Sequence, residues 1–515
     1  MTSRRSFYRK IAYLVAIALL LLPLFWLSVP ATKDSAGGVL ARSRAECGLS
    51  EAQLGEIDPT SETIKLATFG LRGVAANVLW EKANRYNMKK DWTNLSATLE
   101  QIAKLEPHFI PVWRFQAWRV SYNVSAEFDD YRGRYRWVIK GINFLKEGIR
   151  YNENEPVLYW DVGWFTAQKI GRADEHKQFR RLFKEDDDFH GSRPRELRDN
   201  WLVGKESFAE AEELVEAGAS LRKMSPVLFY SEQPMCQMNY SEALEEEGIF
   251  EEKARLSWNQ AGRQWHQYGA REIPTSFGDV IRLNDRGASL DRVAELRAQL
   301  EEMVPPGLRE QIVEERKARL TDAERQVMEI PVSERTMEQH QTAAAVDQKL
   351  RVTDEQLAER LTGDQRSLGL ELAKKLAETE RIADIIGRYQ DIVNFEYWRR
   401  RADLEQTPQA LLARKRIYEA RQAFEEQTNL RLAKEKYEEG LTAWRALLDS
   451  EQFPGLVQDR DLGRDLIEMI QTYRRILDAC DEPFPQDFIL QDVVDLHKDQ
   501  LEQPWPEDGA KEGSN

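Results

Sequence analysis

The chain carries six histidines, at positions 108, 176, 190, 266, 340 and 497, and no two of them stand at a spacing suited to a shared metal or a general base. HExxH, GxSxG, the phosphate-cradling Walker loop and CxxC are missing from its 515 residues, so the sequence offers no ready catalytic set. The run Glu185-Asp186-Asp187-Asp188 before His190-Gly191 tests one metal hypothesis. It puts Asp186, Asp188 and Gly191 at the first, third and sixth places of an EF-hand-like calcium loop. The fifth place is His190 and the twelfth is Leu197, where a bidentate glutamate is needed, so a solvated loop is expected. The three cysteines, Cys47, Cys236 and Cys480, are far apart and in no metal-like pattern. A hydrolase built on paired carboxylates is a further alternative, but 88 acidic residues make any pair easy to imagine and no spacing favours one. The residues therefore read as a protein that is not an enzyme, with neither cofactor nor metal.

Recognition chemistry is better represented. Asn77, Glu81 and Asn84 fall on one helical stripe near Arg72 and Arg114, beside Trp113 and Trp118. Such a stripe could hold an extended peptide through side-chain amides; a solvated helix face is the alternative. Seven of the fourteen tryptophans lie between Trp80 and Trp164. Core packing is the expected role of each, and the sharper alternative has Trp92, Trp118, Trp137 and Trp164 lining a groove and stacking on a sugar ring or an aromatic peptide.

The elements that must position these residues are helices. From Ser61 onward apolar residues recur at three- and four-residue steps, and strand signals are nearly absent. One helix is predicted from Asp91 to Leu105, with Leu95, Leu99, Ile102 and Leu105 on one face and Pro107 closing it. The stretch Ala76–Pro107 resembles a tetratricopeptide repeat, with Leu79, Ala83, Tyr86, Leu99 and Pro107 where that helix–turn–helix pattern wants them. Trp113, Ala117 and Val120 begin a second pair, whose partner runs from about Arg134 to Arg150. Tyr159, Gly163 and Thr166 begin a third. Ile417, Ala420 and Phe424, then Ala433, Tyr437 and Gly440, repeat the pattern near the C-terminus. Ile102 is larger than the family's usual alanine and the loop Ser125–Gly133 is longer than a repeat turn, so the units are TPR-like rather than consensus. What the resemblance implies is an all-α superhelix of stacked pairs with a concave binding groove.

Ile11 to Val29 carries no charged side chain and follows Arg4, Arg5, Arg9 and Lys10. A membrane anchor is expected there, with the short N-terminus cytoplasmic and the bulk of the chain on the periplasmic side of an inner membrane. A cleaved secretory signal is the competing reading, since Val29-Pro30-Ala31 offers small residues at suitable offsets. An anchor followed by a tryptophan-rich TPR-like block also resembles membrane-anchored chains of planctomycete-type bacteria, a likeness that implies location and fold but no chemistry.

The expected map is a stub and anchor over 1–31, a linker over 32–60, tryptophan-rich repeats over 61–277, a helical arm over 278–388, further repeats over 389–490 and a polar tail over 491–515. The arm holds no Phe, Trp or Tyr, so long amphipathic helices on small aliphatic seams are expected, with capping boxes at Thr321/Glu324 and Thr353/Gln356. Self-association through 289–380 is one use for such an arm. A net charge of −15 argues against nucleic acid. The expected function is a scaffold gathering other proteins of an envelope assembly, with an envelope polysaccharide-binding or export-associated module as the alternative.

Overall fold

A computed structural model of the chain describes residues 72–500 and a few isolated positions before them. The expected anchor lies outside the described residues except for Leu19 and Pro23. Among the described residues no helix is long and apolar enough to cross a membrane. They are all-α apart from one two-stranded ribbon, and they divide into two compact units between Lys223 and Met224, inside the stretch 61–277.

The first unit is built of helical hairpins. Helix α1 (Arg72–Met88) turns at Lys89-Lys90 into α2 (Trp92–Leu105). The Asp91 carboxylate accepts the Asn94 N–H at 3.2 Å, which satisfies one of the orphan amides at the start of α2. Leu95, Leu99 and Ile102 are buried on one face, and Leu105 is half-buried at its end. Helix α3 (Ile110–Trp118) starts with Pro111 in its first turn and continues through a π-helical turn, Arg119–Val124. Helix α4 (Tyr131–Tyr151), capped by Asp130, packs back on α3.

Pro107 ties the two hairpins together. Its carbonyl accepts the Trp113 indole N–H at 2.8 Å and the Asn152 amide at 2.8 Å, so the turn before α3 is fastened to the end of α4. Helix α5 (Pro156–Trp164) likewise runs into a π turn, Phe165–Lys169. Its hairpin partner is not the next helix, α6 (His176–Glu185), nor the short α7 (Asp187–His190), but α8 (Asn200–Glu216). A methyl on Gly163 of α5 would stand 3.0 Å from the Gly204 carbonyl and 3.0 Å from the Phe208 ring. The third pair therefore closes only after an excursion of the chain through α6 and α7.

The second unit opens on the hairpin α9 (Pro226–Glu246) and α10 (Glu252–Ala270), with Trp258 and Trp265 fully buried. An antiparallel ribbon pairs Ile273 with Ile281 and leads into the aromatic-free stretch. There α11 (Arg286–Met303) packs on α16 (Gly363–Ile392) through Val293, Leu296, Leu300, Ala373 and Leu376, the small aliphatic seam that the composition requires. Between them lie α12 (Leu308–Lys317), α13 (Asp322–Glu329), α14 (Met337–Leu350) and α15 (Asp354–Glu359).

Both expected capping boxes form, at Thr321/Glu324 and Thr353/Gln356, and Thr336 with Gln339 adds a third at the start of α14. The chain ends on α17 (Phe395–Glu405), α18 (Pro408–Glu425), α19 (Leu430–Leu448), α20 (Arg460–Ala479) and α21 (Gln491–His497). Helices α18 and α19 pair through Ile417, Ala420, Ala433, Tyr437, Leu441 and Trp444, all buried.

The tightest crossing of the first unit is testable. A methyl on Gly141 would meet Ser121 Oγ at 2.0 Å and the Ala117 carbonyl at 2.9 Å. Gly141→Ala is expected to lower stability by roughly 1–3 kcal/mol, because a backbone carbonyl cannot step aside as a side chain can. Hydrogen exchange of the α3 and α4 amides reads this out, and unchanged or stronger protection would sink the close-approach argument.

Candidate functional site

Helices α1, α3 and α5 are the first members of their hairpins, and their aromatic side chains meet in a ladder. Trp80 of α1 contacts Phe115 of α3 with ring centroids 6.2 Å apart. Trp118 stacks on Tyr122 at 6.1 Å, and Trp160 stacks on Trp164 at 5.3 Å. These two pairs are four residues apart on their helices, the spacing that brings side chains over one another. Tyr122 joins α3 to α5, since its ring meets Phe165 edge-on at 5.5 Å. Burial pushes the Tyr122 hydroxyl pKa up, against the pull of the Trp164 indole near it. Lys169 Nζ stands 4.3 Å from the Tyr122 ring centroid. Both π turns fall at this junction, and such turns concentrate at functional sites.

The residues singled out from sequence distribute unevenly around this ladder. The side chain of Arg72 lies outside the described residues. Asn77, Glu81 and Asn84 are exposed on the α1 stripe that also carries Trp80, so they border the ladder. Trp118 is 47 % exposed, and Phe115 beside it 42 %. Trp113 takes no part; it is buried against Phe144 and Tyr151, on the side of α3 that faces α4. Arg114 makes a bidentate pair with Asp161, linking α3 to α5. Burial pushes the Asp161 carboxyl up, and Arg114 only partly offsets it. Of the other tryptophans, Trp164 belongs to the ladder. Trp137 lies against Phe128 and Lys140, and Trp92 lies over Arg119.

Phe115 and Arg119 escaped the sequence reading, and Trp80, Tyr122 and Trp160 entered it only as packing between helices. An i,i+4 spacing of aromatics on neighbouring helices was the available signal for Tyr122 and Trp160. Nothing in the sequence marks Arg119.

The acidic run folds as structure. Asp186 caps α7 and accepts the Tyr135 hydroxyl at 2.8 Å, and Asp187 pairs with Arg198 at 2.5 Å. Among the described residues no group of three or more His, Cys, Asp or Glu side chains is placed to hold a metal.

The second unit has its own charged centre. Glu405 of α17 is fully buried and takes the Arg414 guanidinium, with Nε at 3.1 and 3.3 Å from its two oxygens. Arg401 pairs with Glu242 at 2.8 Å, and the Trp258 indole donates to Glu245 at 2.7 Å. Burial, with Glu405 close by, pushes the Glu245 carboxyl up to about 8 against the pull of Arg414. Arg401 and Arg414 stay firmly charged, because the carboxylates around them outweigh the cost of burial. The adjoining cavity, lined by Tyr397, Arg401 and Asp465, measures about 10 Å³, room for no more than one water. A larger open cleft of about 410 Å³ beside Tyr418 carries Arg416, Glu419 and Lys436, whose charges are already paired.

No family model matches the chain, and no curated protein matches it.

Two outcomes follow. Arg114→Met leaves Asp161 buried without its cation and is expected to destabilise the first unit by about 1–3 kcal/mol; a thermal melt unchanged against wild type would remove the pair from the account. For Glu245, a folded-state pKa above its ordinary 4.5 means the folded chain keeps a proton the unfolded chain gives up. Stability from this group is full below about pH 4.5 and declines as pH rises toward 8. Melts across that range should therefore fall more steeply for wild type than for Glu245→Gln, and parallel slopes would contradict the assignment.

Proposed function

We propose that the chain is a membrane-anchored extracytoplasmic scaffold whose first unit docks partner proteins of an envelope assembly along the aromatic ladder. The observation that carries this is the pair Phe115 and Trp118, large apolar rings 42 % and 47 % exposed on a surface otherwise rich in charge. Exposed aromatic patches bordered by polar groups are typical of partner surfaces, and Trp, Tyr and Arg dominate binding energy at such sites. Asn77, Glu81, Asn84 and Arg114 supply the polar border. Stacked hairpins suit this task because they present one continuous face to an extended ligand. The anchor over Ile11–Val29 and the TPR-like kinship of the hairpins belong to the same proposal, as does the absence of an enzymatic role.

The stacked indoles of Trp160 and Trp164, with planes 12° apart, favour a second reading in which the face binds envelope polysaccharide. Sugar rings pack on such faces as readily as side chains do.

Crosslinking of the native protein in its own membrane, with mass spectrometry of what attaches to residues 75–180, tests the first reading. Reproducible protein partners are expected, and Trp118→Ala should reduce their yield at least fivefold. Equal recovery from the variant would remove the ladder from the docking surface. A saturable tryptophan fluorescence shift with cell-wall fragments, without protein crosslinks, would transfer the face to the glycan reading.

A further inference from the structure

Arg119 opens the π turn of α3 and is only 4 % exposed. Its Nε and Nη2 are buried and have no hydrogen-bond partner. The guanidinium carbon stands 5.3 Å from the Trp92 ring centroid and 5.6 Å from that of Phe115. Aromatic faces attract a cation but offer its N–H groups no acceptor of the strength a carboxylate gives. A buried charge is ordinarily paired, and the penalty for leaving it unpaired is large. The neighbouring arginine of the same face, Arg114, already has Asp161. Arg119 is thus a held, oriented and unanswered cation at the edge of an exposed aromatic ladder.

We infer that Arg119 is the anion-recognition residue of this face and takes the carboxylate of an acidic side chain on a docked polypeptide. The planar fork of a guanidinium matches a carboxylate through two parallel hydrogen bonds, which fixes orientation as well as sign. Phe115, whose ring lies 5.6 Å from the guanidinium carbon, is itself exposed, and exposed side chains change rotamer in picoseconds to nanoseconds, which gives a ligand a route to Arg119. Desolvation by burial lowers the Arg119 pKa, in keeping with a cation that lacks its counter-ion. An apolar side chain next to the acid on the ligand would rest on Trp118. The inference builds on the docking reading and adds the charge that the partner must bring.

The test uses the full chain in detergent, 3-phenylpropionate as an aromatic carboxylate probe and 3-phenylpropionamide as its neutral twin, with saturation-transfer NMR as readout. The carboxylate should bind at least tenfold more tightly than the amide. Arg119→Met should abolish that preference, and Arg119→Lys should retain part of it, since charge survives without the fork. Matching circular dichroism melts establish that the variants fold, and Phe115→Ala, which removes one of the two rings against the guanidinium, should bind the carboxylate more tightly than wild type.

Equal binding of acid and amide, a preference untouched in Arg119→Met, or no binding of either probe overturns the inference and leaves Arg119 a structural cation–π residue. Tighter binding of phenyl phosphate or of glucuronate than of 3-phenylpropionate overturns the assignment to an acidic polypeptide. Failure here is separable from failure of docking: partner crosslinks that persist in Arg119→Met but fall in Trp118→Ala would leave the docking surface standing without this residue.

Discussion

The backbone of α4 approaches α3 so closely at Gly141 that a single added methyl would overlap Ser121 and press on the Ala117 carbonyl. Much of the first unit depends on that approach. With the helices this near, Gly148 of α4 lies against the Trp113 indole, whose N–H then reaches the Pro107 carbonyl at 2.8 Å. Asn152, at the end of α4, bonds the same carbonyl. Small residues at one crossing thus fix where a large ring is buried and where the next turn is fastened. Interiors packed to crystal-like density leave little freedom for any other arrangement.

The aromatic ladder follows from this arrangement. Because Trp113 is consumed in holding α3 to α4, the opposite side of α3 carries the rings that remain, Phe115, Trp118 and Tyr122. The similarly close contact of Gly163 with Gly204 seats α5 on α8 and brings Trp160 and Trp164 alongside. The Arg114–Asp161 pair and the edge-on contact of Tyr122 with Phe165 then join α3 to α5. One side of each helix is spent on stability, and the other is available for recognition.

The second unit divides its work differently. Its aromatic-free arm packs α11 on α16 through small aliphatic side chains, with ion pairs on the outer faces such as Lys375–Glu371 and Arg381–Asp279. Exposed pairs of that kind add little stability. The unit's buried charges gather instead where α9, α10, α17 and α18 meet, around Glu405 and Arg414. Glu245 there is neighboured by both a carboxylate and a cation, and burial decides the balance, pushing its pKa up.

The sequence by itself determined the helices, many of their ends and the composition of their seams, because those depend on local interactions. Asp91, the capping boxes and Pro107 in its role as a helix stop act within three or four residues of themselves, and Leu95, Leu99 and Ile102 declare a buried face by spacing alone. It also located the aromatic-poor arm, since side-chain volume is a property of composition. Which side of a helix a tryptophan occupies in the folded chain was decided elsewhere. Trp113 and Trp118 are five residues apart and equally apolar, yet one is buried and the other exposed, and the difference rests on contacts with Phe144 and Tyr151 far along the chain. The pairing of α5 with α8 across an intervening excursion, the contact of Tyr122 with Phe165 and the solitary Arg119 are likewise tertiary. Each depends on distances between segments that a one-dimensional pattern does not encode, and on whether a charge meets its counter-ion once water has been displaced.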